Sequence, residues 1–570
     1  MSEYDVIVVG AGWFGLSAAK TYLELHPSSK MAVLESASSF GGSWSADRLY
    51  PGLKSNNLYG SYEHPDFPMV EEVYGVKEGQ HIPAAVLHRY LTDFAKHFGV
   101  YERTQLNTRV KHARQTDAGG WELTTVVAGE ERTMHTKRLI VATGLTSAPN
   151  LPVYPGEDSF SGLKFHAKDF CKHGDTVKTA KKVVIVGCGK SAYDCAYAYA
   201  REGGAQVDLL IRPQGQGPVW LVPPYVTPFR RMMEELLHTR ALTWFCPAPW
   251  GPEDGYGVVR SWLQKSAIGR FITANFWANM HNEVIETHGF DDHPELFKLK
   301  PWYPAFWTGS GVGIHNFDSS LWDLVREGKI RVHVADVTKL DGDRVYLSNG
   351  TVLDAEVICC ATGWKKDATI EYSGVDFNGL GLPIPADEQA RLRREADKQV
   401  LEEFPMLKNQ PVLRYQRTTA EPLRHYRFIV PPELYAKRNF AFAGFVSTVD
   451  TAAFANAQAL WISAYLDGKL KREPRDQDDM VRNVLLHTQF GKWRYPCGYG
   501  DSLPDFAFEA LPYVDLLLND VGVRCHRKAT QIAEFTEPYK PRDYEGLTRE
   551  FRELHGLEGV DGAANGAVKQ

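Results

Sequence analysis

Long apolar runs are missing from this 570-residue chain: none approaches the roughly eighteen residues that a membrane-crossing helix needs. A positively charged start followed by an apolar stretch is missing too. A strand-like segment already begins by Tyr4, so no secretory leader is expected. Cysteine is sparse and scattered: of eight, only Cys359 and Cys360 are adjacent and none precedes Cys171. That leaves no disulfide framework and no metal-ligand spacing. The formal charge of −6 is spread over interspersed acids and bases, with neither a basic stripe nor an acidic tail. This argues against nucleic acid as a partner and toward small molecules. The length and the 44% hydrophobic content imply two or three domains with sizeable cores, and a soluble, cytoplasmic protein is the expectation.

What the chain does have is a glycine-rich turn, twice, in matching surroundings. Gly10-Ala11-Gly12-Trp13-Phe14-Gly15 follows the apolar segment Asp5 to Val9 and precedes a helical pattern from Leu16 to Leu25. Gly10 permits the tight turn, Gly12 lets backbone approach a pyrophosphate, and Gly15 allows close helix–strand packing, with the phosphate at the positive helix end. The next strand, Met31 to Leu34, ends in Glu35, where an acid would hold ribose hydroxyls. Gly187-Cys188-Gly189-Lys190-Ser191-Ala192 repeats the grammar between a strand at Lys182 to Val186 and a helix at Ser191 to Ala200. The strand Gln206 to Ile211 then ends in Arg212. A cation there suits a 2′-phosphate, so the first site reads as FAD-binding and the second as NADPH-binding, with Lys190 adding charge. The plainer alternative leaves Arg212 and Lys190 as solvated surface charges.

FAD and NADPH units serve disulfide reductases as well as enzymes that pass electrons to oxygen. A reductase needs a close cysteine pair facing the flavin. Here the region after Glu35 holds no cysteine until Cys171, while Cys188 and Cys195 belong to the second nucleotide unit. Electrons must leave another way.

An internal echo supports two related halves. A β-rich stretch from Asn107 to Val127 and the strand Arg138 to Val141 lead into Ala142-Thr143-Gly144, while Lys329 to Val334, Val345 to Leu347 and Val357 to Cys360 lead into Ala361-Thr362-Gly363. Pro149 to Pro155 reads as a crossing, Phe440 to Val446 as a late strand and Ala453 to Leu466 as a late helix. The fold class expected is α/β: two Rossmann-like dinucleotide-binding domains, the second inserted in the first, with an aromatic-rich helical insertion. The boundaries expected are 1–158 for the first part of the FAD domain and 159–365 for the NADPH domain, with the insertion at about 213–323. Residues 366–570 would then return to the FAD domain and extend it, and the Gly- and Ala-rich end from about Gly556 is expected to be disordered.

Phe160-Ser161-Gly162-Leu163-Lys164-Phe165-His166-Ala167-Lys168-Asp169-Phe170 resembles the F-x-G-x-x-x-H-x-x-x-[FY] signature of flavin-containing monooxygenases. It lies between the two glycine motifs, as in that family. Gly41-Gly42-Ser43-Trp44, Asp66-Phe67-Pro68 and Ala361-Thr362-Gly363-Trp364 agree with it. The resemblance implies a cycle in which NADPH reduces FAD, dioxygen adds at the flavin C4a carbon, and the hydroperoxide oxygenates a soft nucleophile while NADP⁺ stays bound. A dry site with hydrogen-bond donors is then needed. Molecular oxygen and a bulky small molecule with a nitrogen or sulfur centre are the implied substrates, and a homodimer is left open.

By the same resemblance Asn56, in Leu53-Lys54-Ser55-Asn56-Asn57, is the amide beside the flavin, with Asn57 its rival and Ser55 their neighbour. An amide donates and accepts without becoming charged; the alternative is a turn asparagine capping Tyr59 or Gly60. Ser43 and Trp44 should lie near FAD, Ser191 and Asp194 near NADPH, and Gln458 near the flavin. Ser55, Val110, Thr143 and Thr362 complete the residues expected at the cofactors. His166 is expected to tie the inter-domain strand to the second glycine loop. Baeyer–Villiger monooxygenases place Trp where this chain has Phe170 and usually carry an acid near Asn56, which favours nitrogen or sulfur oxygenation over ester formation from a ketone. A non-catalytic FAD- and NADPH-binding redox sensor is a third reading. Between Pro213 and Asp323 the resemblance fades, and eight tryptophans, among them Trp220, Trp277 and Trp322, fall there. They either wall a substrate site for a bulky apolar ligand or fill a core.

Overall fold

The computed structural model describes residues 3–226, 231–365, 369–375, 382–418 and 421–557. Most of the Gly- and Ala-rich end lies outside these described residues. The chain opens on β1 (Tyr4–Val9), α1 (Trp13–Leu25), β2 (Met31–Leu34) and a short strand β3 (Lys54–Leu58). A meander follows, of β4 (Thr108–Gln115), β5 (Trp121–Val127) and β6 (Glu130–Val141). Next come β7 (Leu163–His166), β8 (Lys182–Val186), α2 (Lys190–Tyr197) and β9 (Gln206–Ile211). Then α3 (Met233–Leu237) and α4 (Ala267–His288) precede β10 (Ile330–Val334) and β11 (Val357–Cys360). Late in the chain lie β12 (Phe440–Phe442), β13 (Ser447–Thr448), α5 (Thr451–Leu466) and β14 (Asp505–Phe506).

Two sheets organise these elements. In the first, eight-stranded sheet, β1 runs parallel to β2 and to β6, and β12 returns from late in the chain to pair with β6, Phe440 opposite Leu139. The second is five-stranded and parallel throughout, in the order β7, β11, β8, β9, β10. Helices cover both faces of such parallel cores, which is why these strands read as unbroken apolar runs rather than alternating ones. Val6, Ile7, Val8, Val183, Val184 and Ile185 are wholly buried, each stabilising the fold by about 1.5–3 kcal/mol. The two crossings between the sheets pair with each other, Pro149 opposite Trp364 and Ala148 opposite Lys365.

Two expected elements differ at their ends, and one expected contact differs in its partner. The strand expected to reach Val446 stops at Phe442. Gly444 there takes φ +76°, a conformation that favours glycine, and its N–H is held by the Gln458 side chain. The second nucleotide helix ends at Tyr197 and continues as a wider π turn from Ala198 to Glu202. His166 ties its strand to Gly363, not to the second glycine loop: its Nε2 donates to the Gly363 carbonyl at 2.9 Å while Nδ1 accepts from the Lys168 N–H. The reason is register, since β7 pairs with β11, and His166 stands opposite Cys360.

The tryptophans of the aromatic insertion divide between buried cores, the surface and a cavity wall. Trp250, Trp307 and Trp322 are buried in cores, Trp262 is about half exposed, and Trp220 and Trp277 face an internal cavity. Among the described residues no helix is long and apolar enough to cross a membrane, and no cluster of His, Cys, Asp or Glu could hold a metal ion.

Candidate active site

The first cavity, about 910 Å³, opens where β1 gives way to α1. Gly10, Gly12, Phe14 and Glu35 line it, and so, from later segments, do Gly42, Ser43, Trp44, Val110 and Thr143. Backbone dictates the glycines. Gly10 has φ +110°, and a Cβ there would stand 2.4 Å from the Ala142 carbonyl oxygen; a Cβ on Gly15 would stand 1.9 Å from the Gly10 oxygen. Gly12 and Gly42 face each other so closely that a Cβ on either would touch the other's Cα. Such a bare cradle at an uncapped helix start is what a pyrophosphate needs. Glu35 is fixed in the wall by its own bonds, accepting from the Ala11 N–H and the Ala37 N–H, both at 2.8 Å.

Ala11 and Gly15 do not line this cavity; they act through Glu35 and through the helix–strand contact. Gln458 is also set back. It is fully buried, accepting from the Gly444 N–H at 2.9 Å and donating to the Tyr513 hydroxyl, so that it shapes Gly444, which does line the cavity. Besides exposed Arg109, the sequence reading missed two partly buried cations in the wall, Arg48 and Lys168. They donate to the carbonyls of Thr146 and Ser147, and burial pushes both pKa values down. Positive charge held there at that cost suits a negatively charged ligand. Neither belongs to a spacing pattern that sequence alone reveals as charged.

The second cavity, about 440 Å³, runs from the second nucleotide turn to the aromatic insertion. Lys190, Ser191 and Asp194 line one end, Trp220, Trp277, Met280 and Phe508 the other. Lys190 pairs with Asp194 and sits over the Phe317 ring, while the Tyr50 hydroxyl donates to Asp194 at 2.9 Å. Gly187, Gly189, Ala192, Arg212 and Thr362 lie outside both cavities. Gly187, at φ +128°, leaves its would-be Cβ 2.3 Å from the Ala361 oxygen, whereas a Cβ on Gly189 would meet nothing within 4 Å. Ala192 is buried beneath the turn, Arg212 is exposed beside it, and the Thr362 hydroxyl donates to the Asn150 carbonyl.

The cavities adjoin: Trp44, Tyr62, Thr448 and Thr451 line both. Asn56 and Asn57 line the second cavity, whereas Ser55 is buried, its hydroxyl donating to the Asn57 carbonyl and accepting from the Ile82 N–H. The Asn56 amide is exposed to the cavity, with only a long 3.4 Å contact from the Ile314 N–H to its Oδ1. Asn57 is engaged: its Nδ2 donates to Glu234 on α3, and Glu234 also accepts from the Leu58 N–H at 3.2 Å. Burial raises the Glu234 carboxyl above the usual range, opposed by His238 and by the Asn57, Ser61 and Leu58 donors. None of the eight cysteines lines either cavity, and all are free thiols.

A second buried carboxyl, Asp505 on β14, was also missed; it holds the Gly309 to Gly313 loop through Ser310. Both acids come from segments without a motif, and only the folded chain brings them to the site.

Residues 3–222 match the flavin-binding monooxygenase-like family. An FAD-dependent monooxygenase of Aspergillus nomiae is 33% identical, over 98% of this chain and 100% of the relative. Among solved structures, cyclohexanone monooxygenase from Rhodococcus bound to NADP⁺ superposes with a TM-score of 0.58 at 17% identity, covering 91% of this chain and 97% of that one. S-allyl-L-cysteine S-oxygenase from Allium sativum gives 0.53 at 16% identity, covering 98% and 95%. These two likenesses show the shared fold.

Proposed function

Since this chain belongs to the flavin-containing monooxygenase family, we propose that it oxygenates a nitrogen or sulfur centre of a bulky small molecule at the junction of its two cavities. It is an FAD-dependent monooxygenase using NADPH. In the reaction, NADPH, a proton and dioxygen are consumed, one oxygen atom enters the substrate, and NADP⁺ and water leave. Bound FAD, reduced by NADPH, supplies the electrons and the place where oxygen is activated.

The observation that carries the reading is the adjoining of the cavities at Trp44, Tyr62, Thr448 and Thr451, with Asn56 in the lining of the second. The first cavity fits FAD: Gly10, Gly12 and Gly42 bare the backbone, Glu35 takes the ribose, and Ser43, Trp44, Val110 and Thr143 form the walls. The second turn fits NADPH, with Lys190, Ser191 and Asp194 facing inward and Arg212 outside for the 2′-phosphate. On this reading residues 1–158 and 366–570 build the FAD domain, and 159–365 the NADPH domain. Asn56 offers an uncommitted amide donor to the second cavity, worth about 1 kcal/mol and more where water is excluded. Trp220, Trp277, Met280 and Phe508 exclude water and suit an apolar or aromatic substrate.

An amide at position 56 favours nitrogen or sulfur oxygenation. One observation speaks for the Baeyer–Villiger alternative, the Glu234 carboxyl lodged against Asn57. The deciding experiment offers the FAD-loaded protein NADPH and isotopically labelled dioxygen with an aryl thioether, an aryl tertiary amine and an aryl cyclic ketone. A labelled sulfoxide or N-oxide supports the proposal; a labelled lactone as the only product overturns it.

A further inference from the structure

The Asn57 amide has two faces, and Glu234 lies against one of them. Leu58 is fixed in β3, and its N–H needs an acceptor, which Glu234 Oε2 provides at 3.2 Å. The other carboxyl oxygen, Oε1, then faces Asn57. An ionised carboxylate accepts only, so it captures the Asn57 NH₂ group, as observed, and leaves Oδ1 as the group that Asn57 can turn to the cavity. The other bond of that amide, to the Val449 carbonyl, is 3.4 Å long and holds it weakly. A protonated carboxyl reverses the pairing: its hydroxyl on Oε1 donates to Asn57 Oδ1, the amide turns over, and NH₂ faces the cavity.

We propose that Glu234, brought in by the insertion, is a positioning residue that decides whether Asn57 presents a hydrogen-bond acceptor or a donor at the junction of the two cavities. The proposal rests on the reading that FAD and NADPH occupy those cavities. It makes the asparagine pair unequal: Asn56 is a standing donor, whereas Asn57 becomes a second donor only when Glu234 holds a proton. Burial raises the Glu234 carboxyl, so the change falls above the ordinary carboxylate range. The groups facing it are His238, just beyond the end of its own helix, and Tyr62, which lines both cavities. His238 is itself 3.6 Å from Asp450, just before α5. Tyr62 is pushed up to about 12 by burial and stays neutral.

The test is the affinity of FAD-loaded protein for NADP⁺, titrated calorimetrically across pH without turnover. Glu234→Gln is the informative variant, because its Oε1 serves Leu58 and its NH₂ must face Asn57, which fixes the turned-over amide at every pH. In the wild type, affinity should change by about threefold to tenfold across one ionisation, the worth of one hydrogen bond. Glu234→Gln should keep the acid-side affinity throughout and lack that step. His238→Gln should move the step to higher pH, since His238 acts to lower the Glu234 carboxyl; a merely structural role for Glu234 predicts no such movement. A Glu234→Gln protein that keeps the step, or a wild type without one, overturns the proposal. A wild type that binds no NADP⁺ at any pH overturns the two-cofactor reading itself, and this proposal with it.

Discussion

The Asp505 carboxylate accepts from the Ser310 backbone N–H at 2.8 Å and from the Ser310 hydroxyl, and so fixes one wall of the second cavity. Asp505 also accepts from the Tyr499 N–H at 3.0 Å, and the Ser310 hydroxyl meets that of Ser447, in the wall of the first cavity, at 2.6 Å. A Cβ on Gly309 or Gly498 would strike Asp505. One carboxylate thus joins the glycine loop of the insertion to strand β13.

That carboxyl is held up to about 6 by burial, from a usual value of 3.8, despite its three donors. A folded-state pKa above the unfolded one means that the native protein binds more protons between the two values, so stability falls as pH rises from about 4 to 6. The ionised form costs at most about 3 kcal/mol relative to the protonated form. Asp505→Asn, which cannot ionise, should lose this component. Denaturant unfolding at pH 4, 5, 6 and 7 checks it: the wild type should weaken relative to the variant across that window. A constant difference rejects the assignment.

Asn56→Ala and Asn57→Ala should part company. Asn56 is exposed and loosely held, so its loss should change stability by less than about 0.5 kcal/mol. It should instead lower product formed per NADPH and raise hydrogen peroxide release. Asn57→Ala strips a donor from buried Glu234 and should cost about 1–3 kcal/mol. Unfolding curves together with a peroxide assay separate the two; equal stability losses would contradict the unequal roles.

Arg212→Ala should discriminate between nicotinamide cofactors. Removing a charged hydrogen-bond donor to a 2′-phosphate costs about 1.5–3 kcal/mol, so kcat/KM for NADPH should fall roughly 10- to 100-fold with NADH little changed. Equal losses for both would mean that Arg212 does not read the phosphate.

Gly15→Ala and Gly189→Ala should fail differently. The first puts a methyl group 1.9 Å from a carbonyl oxygen and should abolish FAD retention, seen as loss of flavin absorbance after purification. The second places its methyl in open space, so the flavin should stay while NADP⁺ affinity drops. Flavin loss from both variants would refute the distinction.

Trp277 lines the second cavity and also an outer groove of about 710 Å³. Its indole N–H donates to the Phe245 carbonyl at 3.1 Å and its ring meets Phe306 and Phe508 edge-on. Trp277→Ala should cost about 3–5 kcal/mol and open the cavity to water, raising peroxide release per NADPH. Trp277→Phe should recover most of both. Unchanged coupling in the alanine variant would show that the indole does not seal the site.

Most of the fold was legible because its signals are local. The strands at 31–34, 182–186, 206–211 and 357–360 were bounded correctly, since buried parallel strands are short apolar runs closed by polar or turn-forming residues. The late strand was overextended because its end depends on a bond from Gly444 to Gln458, on a different element. His166 was tied to the wrong loop because strand order, not spacing, decides what stands beside it.

Sequence by itself determined the two glycine turns, their order and the family. The turns are local, and at Gly10, Gly15 and Gly187 the backbone leaves no room for a side chain. Tertiary structure alone decided which of Asn56 and Asn57 is free, and that Glu234, Asp505, Arg48 and Lys168 belong to the site. Those facts rest on pairings such as Asn57 with Glu234 and Ser310 with Asp505, each more than 170 positions apart. A buried carboxyl takes whatever donors the packing brings to it, and no spacing in the chain records that choice.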